Sequence, residues 1–213
     1  MPNEVPADEQ SNGSANITLD LLDALHNNSE VSQRRLSSEL GIALGLTNAY
    51  LRRCIRKGWI KVKNAPANRY AYYLTPKGFA EKSRLTAGYL SRSLGFYREA
   101  RNQCDELLAG CSTNGWTKIA LYGSGDLAEI AILCAMRHPV TVVGIVEPRL
   151  SDNKFLDLKV FQNVLDIKSF DGVLLTEFLR PQSSYDSLAK DIEPSSILVP
   201  DILKVSKLQV NEL

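Results

Sequence analysis

The sequence predicts a mixed α/β protein in which short helices and a β-hairpin are followed by a long helix and then by a small parallel sheet. Three observations predict it. Between Tyr50 and Gly78 lie a basic amphipathic helix, a hairpin with basic residues and the start of another helix. From Pro76 to about Cys111 no further proline occurs, and apolar residues recur at Leu85, Tyr89, Leu90, Leu94, Tyr97, Leu107 and Leu108. Beyond Trp116, continuous apolar runs alternate with helical segments, the pattern of a parallel sheet covered on both faces.

Met1 to Asn16 is polar and nearly free of apolar residues, so a disordered tail is expected over 1–16. A first helix carries Leu19, Leu22 and Leu25 and ends at Asn27 and Asn28. A second starts near Ser32, buries Leu36 and Leu40, and stops at Gly41; a third begins between Ala43 and Thr47. Two short helices around a glycine turn form a helix-turn-helix unit. In the third helix Leu51 and Ile55 are expected to share the buried face, with Arg52, Arg53, Arg56 and Lys57 on the others. Gly58 ends it. Trp59, Ile60 and Val62 read as a strand interleaved with Lys61 and Lys63, Asn64 to Arg69 as a loop, and Tyr70 to Leu74 as the returning strand. Thr75 before Pro76 is an N-cap with proline at the first helical position. Helix, basic hairpin, helix is the order of a winged helix-turn-helix, assigned to 17–75.

The next segment, 76–113, is expected to be a long linking helix with Gly95 as the candidate break. Such a helix can serve as a dimerisation arm or pack on its own C-terminal domain. In the region 114–213, strands are expected at Lys118–Tyr122, Val140–Val146, near Lys159–Phe161, at Asp171–Thr176 and at Ser196–Val199. Helices are expected at Asp126–Arg137 and Pro181–Asp191. This is a small Rossmann-like sheet.

Charge separates the two parts. The 213-residue chain has net charge +1, yet residues 17–101 carry +9, residues 102–213 carry −5 and the first sixteen carry −3. A basic part joined to an acidic one is expected if only the first meets phosphate. The four cysteines form no CxxC pair and there are two histidines, so a zinc site is not expected. Cys104 and Cys111 read as apolar helix-face residues, with an inter-subunit thiol pair as the alternative. No apolar run approaches the length of a membrane span, and a cytoplasmic protein is expected.

The turn after Tyr122 reads Gly123-Ser124-Gly125-Asp126-Leu127-Ala128, matching G-x-G-x-x-A. Gly123 permits the tight turn, Gly125 admits a phosphate close to the backbone, and Ala128 lets helix and strand pack closely. The helix N-terminus offers free N–H groups to an anion. Glu147, 22 residues after Gly125, stands where a ribose-binding carboxylate is expected. Asp126 opposes a pyrophosphate and could instead cap the helix. Thr176 follows a strand end on the same sheet edge. The candidate ligand residues are therefore Gly123, Ser124, Gly125, Asp126, Leu127, Glu147 and Thr176, for NAD(H) or another nucleotide-like ligand. No acid, base or nucleophile converges on this loop, so a non-enzyme is expected.

The run LGIALGLTNAYLRRCIRKGWIKVKN…YAYYLTPKG, continuing into FAEKSRLTAGYL, resembles MarR-type winged-helix regulators associated with exopolysaccharide gene clusters. The resemblance covers roughly Ile17 to Arg101 and implies a dimeric bacterial transcription regulator. Carried over, Thr47, Asn48, Tyr50, Arg52 and Arg53 would face base edges and flanking phosphates, with Arg56 in the same basic cluster. Lys61, Lys63, Asn64 and Arg69 would belong to the wing. Lys118 to Asp201 resembles the Rossmann-like domains of nucleoside-sugar-modifying and CoA-binding proteins. The two-part layout is similar to redox-sensing Rex repressors. Together these imply a sequence-specific regulator of double-stranded DNA, a homodimer through 76–113, governed by a nucleotide-like ligand. The alternatives are a DNA-binding scaffold whose second domain binds protein, and a nucleotide-sugar enzyme using the winged helix for interactions.

Overall fold

The computed structural model describes residues 7–65, 69–149 and 154–207, except the side chains of 7–12, 65 and 69. The chain forms two compact units, Met1–Ser93 and Leu94–Leu213.

In the first unit, α1 (Ala7–Asn27), α2 (Gln33–Glu39) and α3 (Leu44–Arg56) precede an antiparallel hairpin of β1 (Ile60–Ala65) and β2 (Arg69–Leu74). Leu21, Leu22, Leu25, Leu36, Leu51, Cys54, Ile60 and Tyr72 form its core. Helix α2 starts where the sequence predicts, with Ser32 Oγ accepting the Arg35 N–H at 3.2 Å. The expected tail over 1–16 needs correction. Residues 1–6 lie outside the described residues, but Ala7 to Asn16 is already helical. Its last residues are held by tertiary contacts that composition does not reveal: Arg53 donates to Ser14 Oγ and Arg92 to Asn16 Oδ1, and Ala15 packs on the core. The expected loop from Asn64 to Arg69 also shrinks, because Asn64 pairs with Tyr70 and Ala65 with Arg69.

Helix α4 (Pro76–Thr113) is continuous through Gly95 and contributes to both units. Thr75 caps it, accepting the Gly78 N–H at 3.1 Å. Ala100, Cys104, Leu108 and Cys111 are buried in the core of the second unit, so this end of the helix packs on its own domain. Asp105 extends the attachment through Arg137, and through His138 Nε2 at 3.2 Å.

The second unit is built on β3 (Lys118–Tyr122), α5 (Asp126–Ala135), β4 (Thr141–Val146), β5 (Lys154–Phe155), β6 (Leu158–Phe161), β7 (Gly172–Leu175), α6 (Pro181–Asp191) and β8 (Ile197–Leu198). The sheet order is β5-β6-β4-β3-β7-β8. All pairs are parallel except β5 with β6. The sequence predicts one short strand near 159–161. The structure has a hairpin there, its turn made by Leu156 at a positive φ of 51°. Apart from β5 the order is that of a doubly wound sheet, whose direction reverses between β3 and β7. Ile119, Leu121, Ile145, Val173 and Leu174 are buried because helices or loops cover both faces.

Candidate functional site

The basic surface of the first unit centres on α3. Thr47, Leu51 and Cys54 are buried, at spacings of four and three, and define the inward face of this helix. Burial pushes the Cys54 thiol up to about 11. Arg52, Arg53 and Arg56 are exposed, as the sequence predicts. Two expectations are corrected. Thr47 is 0% exposed and its hydroxyl donates to the Ala43 carbonyl at 3.2 Å, so it presents nothing to a groove. Ile55 is 38% exposed and does not share the inward face of Leu51. The three residues Thr47, Leu51 and Cys54 turn the helix about its axis by their packing, and that rotation carries Ile55 outward.

Other candidates are half-committed to the fold. Tyr50 packs against the core, and Asn48 is half-buried with its Oδ1 lacking a hydrogen-bond partner among the described residues. Arg53 is tied to α1 through Ser14 Oγ at 3.2 Å, whereas among the described residues Arg52 and Arg56 carry no such tether. On the hairpin, Lys61, Lys63 and Asn64 are all exposed. Lys63 Nζ lies 5.5 Å from the Tyr73 ring centroid. The Arg69 backbone opens β2; its side chain lies outside the described residues.

Beside the hairpin is a cleft of about 520 Å³ lined by Ser32, Gln33, Arg34, Arg35, Tyr70 and Tyr72 among others. Gln33 Nε2 donates to Tyr72 Oη at 3.0 Å, and Arg35 pairs with Glu39. This brings the Arg34-Arg35 pair next to the wing. The sequence signal was the pair itself, in the first turn after the Ser32 cap, but nothing in its spacing says that the start of α2 meets β2.

In the second unit the glycine loop stands at the carboxyl ends of β3 and β7, where the strand order reverses. Gly123 and Gly125 both take positive φ, 104° and 148°. A Cβ on Gly123 would lie 2.4 Å from the Glu177 nitrogen, so this glycine is required by the close approach of the β7–α6 loop. Thr176 is buried, and its hydroxyl donates to the Gly123 carbonyl at 2.6 Å. Leu127 is in the core. Thr176 and Leu127 therefore hold the loop and expose no group to a ligand.

Glu147 meets the loop directly. It is 7% exposed, and its Oε2 accepts both the Ser124 N–H and the Ser124 hydroxyl, each at 3.1 Å. Its Oε1 accepts the Arg149 N–H at 3.3 Å. Both oxygens are engaged, and the loop N–H that a phosphate would need already has an anionic partner. Glu177 is likewise turned inward, accepting the Leu179 and Arg180 N–H groups at 2.7 and 3.3 Å. Helix α5 starts at Gly125 without a side-chain cap and carries Asp126 and Glu129 in its first turn. Asp126 does not cap the helix. Glu147 and Glu177 thus pack against the loop and Asp126 follows it, an arrangement that does not fit a pyrophosphate. Among the described residues no cluster of His, Cys, Asp and Glu could hold a metal ion, and no helix is long and apolar enough to cross a membrane.

Comparison with known proteins places a winged helix-turn-helix DNA-binding family over residues 15–61. No curated protein sequence matches the chain. Among solved structures, human N-acetylserotonin methyltransferase in complex with SAM matches at 12% identity and a TM-score of 0.33, over 93% of this chain and 81% of that one. PigF with SAH matches at 13% identity and a TM-score of 0.24, over 92% of this chain and 61% of that one. The expectation of a non-enzyme is corrected by these matches and withdrawn, since one of them is an enzyme and they hold SAM and SAH. At such low TM-scores neither assigns an activity to this chain.

Proposed function

We propose that the chain is a transcription regulator that binds double-stranded DNA through α3 and the β1–β2 wing. One observation carries the proposal: within the matched winged helix-turn-helix the outward side of α3 holds the exposed Arg52 and Arg56, and the hairpin that begins at the end of the match presents Lys61 and Lys63. The helix would enter the major groove while the wing and the Arg34-Arg35 pair meet backbone phosphates. A homodimer, a cytoplasmic location and the MarR-type relationship belong to the same proposal. The dimer surface in this proposal is the apolar part of α4 around Tyr89, Leu90, Leu94 and Tyr97, all exposed, since the apolar face beyond Ala100 (Cys104, Leu108, Cys111) is already buried in the second unit.

The proposal includes a nucleotide-like ligand at the glycine loop, in a narrower form than NAD(H). The carboxylates of Glu147, Glu177 and Asp126 favour a ligand that offers hydroxyl donors and little negative charge. Ligand hydroxyls would compete with Ser124 for Glu147, and the exchange would shift the loop.

The test of DNA binding is the salt dependence of affinity. If Arg52 and Arg56 each neutralise a phosphate, replacing both by alanine lowers the slope of log K against log salt by about 2. Unchanged affinity and slope would reject the interface.

A further inference from the structure

The outward face of α3 changes character along its length. With about 100° per residue, the side opposite Thr47, Leu51 and Cys54 runs through Gly45, Ala49, Arg52 and Arg56, with Leu46 and Arg53 alongside. Each of these six is exposed, Leu46 at 43%. The first two turns of this face carry no hydrogen-bonding side chain. Thr47 points inward, and Asn48 lies at the flank with its amide oxygen buried. Hydrogen-bond donors on the face begin only at Arg52.

In a helix-turn-helix it is the N-terminal part of the recognition helix that meets base edges. The major groove offers that part donors, acceptors and one apolar group, the 5-methyl of thymine. Leu46 and Ala49 can neither donate nor accept a hydrogen bond. We propose that Leu46 and Ala49 are specificity-determining residues that contact thymine 5-methyl groups, with Arg52 and Arg56 reaching guanine edges or phosphates farther along the same half-site. The apolar patch passes without a break into the exposed cationic end of the same face, so a polyanion that fills one covers the other. Gly45, with no side chain, lets the helix approach the groove floor at that turn. The inference rests on the DNA-binding reading and adds to it the chemistry of base selection.

The experiment uses the full-length protein. Duplexes enriched from a random pool are bound at fixed salt, first with thymine and then with each thymine replaced in turn by deoxyuridine, which lacks only the methyl. Affinity is expected to fall about fourfold at one or two positions per half-site, equivalent to about 0.8 kcal/mol for one buried methyl. Leu46→Ala or Ala49→Gly should bind the thymine and deoxyuridine duplexes equally at the affected position, with an unchanged circular dichroism spectrum. Enriched duplexes that bind equally well with deoxyuridine at every position would overturn the inference while leaving DNA binding intact. A fourfold loss that persists in both variants would overturn the assignment to these two residues. If no duplex is enriched, the DNA-binding reading fails and the inference with it.

Discussion

Gly78→Ala opposes two effects within one helix. Helix propensity alone favours alanine over glycine by about 1 kcal/mol. The structure predicts the reverse. A Cβ on Gly78 would lie 2.1 Å from the Trp59 carbonyl oxygen and 3.0 Å from its carbon. Ordinary carbon–oxygen contact begins near ~3.3 Å, so the start of α4 must move by about 1 Å. The obstructing atoms are backbone at the base of the hairpin and cannot rotate away. The shift strains two bonds that join α4 to this base: the Thr75 N–H to Trp59 O at 3.0 Å and the Thr75 hydroxyl to Gly58 O at 2.6 Å. Overpacking costs about 1–3 kcal/mol and each of the two weakened bonds about 1 kcal/mol, against the ~1 kcal/mol gain in propensity. The net expectation is a loss of about 2–4 kcal/mol on these figures. Gly88→Ala in the same helix is the control, because its nearest neighbour is the Arg92 guanidinium tip at 3.4 Å, an ordinary contact. It should be neutral or stabilise by up to about 1 kcal/mol. Urea unfolding would be followed by Trp59 fluorescence in a Trp116→Phe background, which isolates the first unit. Gly78→Ala as stable as its parent would refute the contact and with it the rigid seating of α4 on the wing.

Two further outcomes concern the second unit and the thiols. Asp171 Oδ2 accepts the Thr117 and Lys118 N–H groups at 2.7 and 2.8 Å, and these bonds hold its carboxyl below the ordinary value. A depressed carboxyl stabilises fully above its unfolded pKa and loses that contribution as pH falls through the folded one. Asp171→Asn should therefore lower the thermal midpoint at pH 7, with the gap closing as pH falls below the ordinary carboxyl value; a gap independent of pH would contradict the bond. Burial raises all four thiols, Cys54 to about 11 and Cys104 to about 12. Iodoacetamide at pH 8 should label none of the four in the native protein and all of them in urea, and fast native labelling of Cys54 would contradict its place on the inward face of α3.

Much of the architecture was legible because it depends on local chemistry. The runs KIALY and VTVVGIV could be buried only as strands covered on both faces, and β3 and β4 lie where those runs stand. Ser32 and Thr75 mark helix starts because a hydroxyl before a helix satisfies an otherwise orphaned N–H. Leu156 gave no such signal. It has none of the turn chemistry of glycine or asparagine, so the β5–β6 hairpin was not foreseen.

The candidate site divides along the same line. Sequence by itself determined that a basic helix and hairpin lie at one end of the chain and a glycine turn with a carboxylate about one strand away at the other. These follow from composition and spacing. Tertiary structure decided which way α3 is rotated, burying Thr47 and presenting Leu46 and Ala49. It also decided that Glu147 engages both oxygens, with the Ser124 N–H and hydroxyl and with the Arg149 N–H. Helix rotation is set by the side chains that fill the core, and hydrogen-bond pairing by atoms brought within about 3 Å from distant parts of the chain. Neither is encoded in the periodicity of a single segment.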